Sequence, residues 1–186
     1  CDALEVKRPT ANNFVSHLES AHLIYRLTPF GYGKQILRGR PKIYLADAAL
    51  AGSVMLKGKS LLEDPGAVGQ AVETAFFKHV FTRYYSVGPR FSYWRGKKDL
   101  EVDIIAETGE RIVPFEVKYR GPDHTGLNNL KGIQHFCREK TIKEGYVITR
   151  ELNDFGLFPV PDSGITLLKL PAALACYWLG RSELDS

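Results

Sequence analysis

The sequence predicts an α/β domain built on a mixed sheet with helices on its flanks. Three observations carry this. A long amphipathic helical window follows Pro65, three strand-like runs crowd together between residues 90 and 119, and a helix-then-strand unit comes after them, the mark of a parallel strand pair.

The elements follow in order. In NNFVSHLESAHLIYRL, residues 12–27, apolar Phe14, Val15, Leu18, Ala21 and either Leu23 or Ile24 recur at roughly helical spacing behind candidate caps Asn12 and Asn13, which predicts an amphipathic helix. The stretch TPFGYGKQILRGRPK is rich in glycine, proline and basic residues and reads as a loop, a small hairpin or a linker. From Lys42, KIYLADAALAG is a short strand running into a helix. Beyond Pro65, Val68, Val72, Phe76, Phe77, Val80, Phe81 and Tyr84 form a broad apolar helix face that must be buried. RFSYWR, LEVDIIAE and RIVPFEVKY are strands rich in aromatic and β-branched residues, separated by GKKD and TGE turns. LNNLKGIQHFCREK is a helix, GYVIT a buried strand, and ITLLKL with PAALACYWLG a closing strand and helix. There is no internal repeat and no low-complexity tract.

Composition narrows the classes. At 186 residues, 44% hydrophobic and 25% charged, the chain is an ordinary globular one with room for one substantial core plus a small appendage. No apolar run approaches the roughly 18 residues that a membrane span requires. Cys1, Cys137 and Cys176 are odd in number and far apart, which excludes a disulfide framework and a CxxC metal site and fits a reducing cytosol. A start at Cys1 without a leader pattern is that of a piece of a longer intracellular protein. The net charge of +4 is compatible with an anionic partner without requiring one. The basic clusters Lys34 to Lys42 and Lys57 to Lys59 are ordinarily solvated loops, though they could also track a phosphate backbone. GYGK lacks the spacing and hydroxyl of a P-loop, and the histidines show no HExxH pairing.

The chemistry concentrates in EVDIIAETGERIVPFEVKYR, residues 101–120. If Gly109 and Glu110 are the central residues of a type II′ turn, Asp103 falls opposite Glu116 and Glu101 opposite Lys118. In that register Val102, Ile104 and Ala106 share a face with Val113, Phe115 and Val117. Carboxylates directly opposed across a sheet, Cβ atoms about 4.5–5.5 Å apart, repel each other and call for a cation between them. A hard divalent ion such as Mg²⁺ or Mn²⁺ meets that need, and Lys118 would point at the same spot. Glu73, flanked at helical spacing by Gly69, Gln70, Phe76 and Phe77, emerges on the apolar face of its helix and needs a partner too.

Helical Glu73, strand Asp103 and the dyad Glu116-Val117-Lys118 together resemble the PD-(D/E)xK superfamily of metal-dependent nucleases. YWRGKKDLEVDII with FEVK further resembles the C-terminal domain that follows the motor of many prokaryotic AAA+-type ATPases. The likeness covers most of residues 10–150. It implies a restriction-endonuclease-like αβββαβ core over residues 42–186, and a helical, partial winged-helix remnant with linker over residues 1–41. It also implies Asp103, Glu116, the Val117 carbonyl and Glu73 as metal ligands, Lys118 as the catalytic lysine and Gln134 as an auxiliary site residue. Val102 stands where the eponymous proline would be.

Two functions stay open on this reading. One is Mg²⁺- or Mn²⁺-dependent hydrolysis of DNA phosphodiesters. The other is a nuclease-like fold without catalysis, binding DNA or protein for an ATPase motor in the same full-length, cytoplasmic chain. Homo-oligomerisation is left open, and no membrane partner is expected. Glu101 with Lys118 could equally be a plain cross-strand ion pair, and Glu73 could be paired with an arginine.

Overall fold

The computed structural model describes residues 6–33, 39–56, 58–109, 111–121 and 125–179. Cys1, Lys34, Lys57 and Glu110, all named above, lie outside that set, as does His124. Eight strands form one mixed sheet in the order β2-β1-β3-β4-β5-β6-β8-β7. They are β1 (Ile24–Pro29), β2 (Lys42–Leu45), β3 (Arg90–Arg95), β4 (Glu101–Glu107), β5 (Ile112–Lys118), β6 (Glu144–Thr149), β7 (Gly156–Val160) and β8 (Ile165–Pro171). The helices are α1 (Arg8–Ser20), α2 (Ala49–Val54), α3 (Pro65–Arg83), α4 (Lys131–Glu139) and α5 (Ala172–Trp178). No helix among the described residues is long and apolar enough to cross a membrane.

The α/β class and the mixed sheet stand as read. β3, β4 and β5 form an antiparallel meander, and α4 carries the chain over to β6, which pairs parallel with β5. The first helix differs from expectation. It begins earlier, with Pro9 in its first turn, and stops at Ser20 because His22 enters the left-handed region at φ 56° while Leu23 N–H donates to the Leu18 carbonyl. Ile24 and Leu27, assigned to the end of that helix, are instead the buried residues of β1. β1 pairs antiparallel with β2 and parallel with β3, so the boundary expected at residues 41 and 42 runs through a continuous sheet. β7 was not expected: in GLFPV only Val160 is buried, and a proline sits inside.

α3 is well specified locally. Asp64 caps it, its carboxylate accepting from Gly66 N–H at 2.8 Å and Ala67 N–H at 3.3 Å, with Pro65 in the first turn. Its Phe76, Phe77 and Val80 close a core on one face of the sheet, together with Ile104, Phe115 and Ile148. α4 closes the other face with Ile133, Phe136 and Cys137 over Val102, Ile105 and Val147. Gly132 permits this approach, because a Cβ there would lie 2.1 Å from the Glu101 carbonyl oxygen.

Candidate functional site

The β4–β5 pairing joins Ile104 to Phe115 and Ala106 to Val113, the register expected from the apolar pattern. The turn itself is not type II′, since Gly109 lacks the left-handed φ that such a turn requires. A second departure matters more. Between β3 and β4 the register slips, Ser92 facing Ile105 but Trp94 facing Val102, so Asp103 and Ile104 together oppose Tyr93. This is a bulge in β4. It moves Val102 to the α4 face, away from Ile104 and Ala106, and turns Asp103 toward the α3 side.

At the bulge the carboxylate of Asp103 stands in for a ladder partner: Oδ2 accepts from the Val117 N–H of β5 at 2.9 Å. Oδ1 accepts from the Lys42 ammonium at 2.8 Å. The same ammonium lies 2.5 Å from Glu73 Oε1 and 3.7 Å from Glu101 Oε1. Lys42 and Tyr44 project from one face of β2, as alternate strand residues must. Tyr44 donates its hydroxyl to Glu73 Oε1 at 2.5 Å and stacks its ring on Phe77, centroids 4.6 Å apart. Burial works against the charged form of Lys42, but Asp103 and Glu73 outweigh it and hold the ammonium well above the usual lysine range. Burial, and then the neighbouring Asp103, push Glu73 upward against the pull of Lys42.

Glu116 is served from elsewhere. It aligns with Val147 of β6, which belongs to the α4-side core, and its Oε1 lies 2.6 Å from the Lys118 ammonium. Burial and the charge of Asp103 push its carboxyl up to about 8. Its Oε2 is buried without a hydrogen-bond partner. Each of the two acids therefore has its own lysine. Nor do Glu101 and Lys118 pair with each other, because Glu101 takes Arg95 at 3.0 Å instead. The partner of Glu73 is a lysine, not an arginine.

Glu73, Asp103, Val117 and Lys118 line one cleft of about 470 Å³, joined by Glu101 and Arg120. Gln134 is not brought to it. Its amide donates to the Leu127 carbonyl at 2.6 Å and it lines a separate cavity on the α4 side. The cluster as built does not fit a resident Mg²⁺ or Mn²⁺, which needs several oxygens free in near-octahedral array. Both Asp103 oxygens already accept hydrogen bonds, and the Lys42 ammonium itself holds the point on which Glu73, Asp103 and Glu101 converge. Lys42 was missed as a site residue. The available signal was a lysine and a tyrosine at alternate positions of a strand preceding a helix whose Glu73 faces inward.

A family described as "Domain of unknown function (DUF4143)" matches residues 68–172, from within α3 to the start of α5. A second, "Domain of unknown function (DUF8612)", matches residues 1–61. The uncharacterized proteins Mb2031c of Mycobacterium bovis and Rv2008c of Mycobacterium tuberculosis are each 29% identical to this chain over 119 residues. That stretch is 62% of the chain but 26% of either relative, so the chain spans about a quarter of the length of the curated relatives it matches. No solved structure matches.

Proposed function

The chain belongs to the DUF4143 family, and from its site geometry we propose that it is a restriction-endonuclease-like domain that binds nucleic acid without cutting it. One observation carries this reading: the Lys42 ammonium sits between Glu73 and Asp103, where hydrolysis would require a divalent ion. The strand order and the Asp103, Glu116 and Lys118 constellation support the nuclease-like ancestry. The engagement of each carboxylate by a lysine supports the loss of chemistry, since breaking such a pair leaves a charge stranded away from water. An AAA+-type ATPase motor is the partner this reading assigns, and the greater length of both mycobacterial relatives leaves room for one.

Incubation with supercoiled plasmid, linear duplex and single-stranded DNA in Mn²⁺ tests the reading, alongside calorimetric titration with Mn²⁺ alone. The expected result is intact DNA, retained affinity for DNA, and no Mn²⁺ heat signal. Mn²⁺-dependent cleavage that disappears in Asp103→Asn overturns it in favour of the hydrolase.

A further inference from the structure

Apart from the basic loops read in the sequence, the described residues form a basic surface of their own. It lies on the α4 side of the sheet, away from the carboxylate cleft. Lys131, His135 and Arg138 recur at helical spacing along the exposed face of α4, whose opposite face is buried. The tip of the β3–β4 hairpin brings Lys97 and Lys98 beside them. Two cavities meet there, one of about 760 Å³ and one of about 780 Å³, and Lys98, Leu100 and His135 line both.

The charge in this groove is one-sided. Among the described residues Lys97, Lys98, Lys131 and Arg138 make no ion pair. The one acid in the lining, Glu139, is already held by Lys140 at 2.7 Å, with His135 at 3.8 Å. The hairpin tip is also conformationally demanding, because consecutive Lys98 and Asp99 take φ of 58° and 56°, a geometry that suits glycine or asparagine better. The close seat of α4 at Gly132 holds helix and hairpin at a set separation. Between them the His135 ring stacks on Trp94, centroids 5.7 Å apart at 30°, and its side chain is 55% exposed.

We propose that this groove binds the sugar-phosphate backbone of a single nucleic-acid strand, with the open face of His135, backed by Trp94, as a stacking platform for a base. Cations without intramolecular partners favour a polyanion through counterion release. A half-exposed ring beside them favours unpaired bases, whose π-faces a duplex conceals. The proposal rests on the binding reading above and names its surface.

Fluorescence polarisation of a labelled oligothymidylate against the 186-residue chain, over a range of salt concentrations, tests it. Lys131→Ala/Arg138→Ala and Lys97→Ala/Lys98→Ala should each weaken binding by about tenfold at low salt and flatten the log–log salt slope by about 0.7 for each phosphate no longer neutralised. Lys7→Ala/Lys59→Ala, equal in charge but remote, should change little, and His135→Ala should lose affinity without changing the slope. All these positions are exposed, so unaltered melting curves show that each variant folds. Binding that survives both groove pairs yet falls in Lys118→Ala or Arg120→Ala overturns the groove and leaves the binding reading intact. Tighter binding of duplex than of single strand overturns the single-strand assignment. Failure to bind any oligonucleotide overturns both.

Discussion

The ammonium of Lys42 lies 2.5 Å from the Glu73 carboxylate, and through this contact the edge strand β2 is tied to the middle of α3. The same ammonium reaches Asp103 on β4, so one lysine joins a strand, a helix and the bulge that aims the acid. The side chains involved are mostly shielded, with Asp103 only 7% exposed. Removing the cation would leave two acids repelling each other with little water to help.

Lys42→Met should therefore destabilise the domain by about 2–4 kcal/mol, the order expected when one partner of a largely buried ion pair is removed. Urea unfolding followed by tryptophan fluorescence measures this. Mn²⁺ should raise the melting temperature of Lys42→Met while leaving that of the parent unchanged. An equal rise in both would show that the lysine does not exclude the ion.

Tyr44→Phe isolates the hydroxyl from the ring. The stack on Phe77 remains and Glu73 keeps Lys42, so the expected loss is about 1.5 kcal/mol, the low end for a hydrogen bond to a charged acceptor. A loss as large as that of Lys42→Met would mean that the hydroxyl, not the ammonium, holds Glu73 in place.

Glu116 gives the domain a pH dependence of definite sign. Its folded-state carboxyl is pushed up to about 8 by burial and Asp103, above the ordinary value of about 4.3, so between these pH values the folded chain binds more protons than the unfolded one. Stability from this group is thus greatest in acid and declines as pH rises toward 8. Lys118 pulls the other way, so that without its ammonium the carboxyl would stand higher still. Glu116→Gln should match the parent near pH 5 and exceed it at pH 8–9, by on the order of 4 kcal/mol. Denaturation midpoints across that range decide it; a parent that gains stability toward pH 8 relative to Glu116→Gln contradicts the assignment.

Gly132→Ala tests the seat of α4. The added methyl would meet the Glu101 backbone oxygen, which cannot swing aside as a side chain could, so the helix must lift. A cost of about 3 kcal/mol is expected from this overpacking. Because the same displacement widens the groove beside Lys131, oligonucleotide affinity should fall as well. Full affinity in a folded Gly132→Ala chain would separate the groove from the helix seat.

The repeating parts of the architecture are written in the residue order. Phe76, Phe77 and Val80 at helical spacing, and Ile104 and Phe115 at strand spacing, specify which face of each element is buried whatever lies opposite. That is why α3, the β3–β5 meander, α4 and β6 are legible, and why Glu73, Asp103 and Lys118 read as facing one spot; Val117 joins them only through the family resemblance, and Glu116, read there too, is not among the residues lining the cleft. β1 was hidden because Ile24 and Leu27 also fit the helical spacing of the residues before them. What neutralises the acids is set by the folded chain. The β4 bulge turns Asp103 off the face it would share with Glu116, and β2, distant in sequence from both, supplies Lys42. An ion pair depends on distances of a few ångströms between segments that the chain brings together only on folding. Residue spacing shows that a carboxylate needs a cation, and folding alone selects which one.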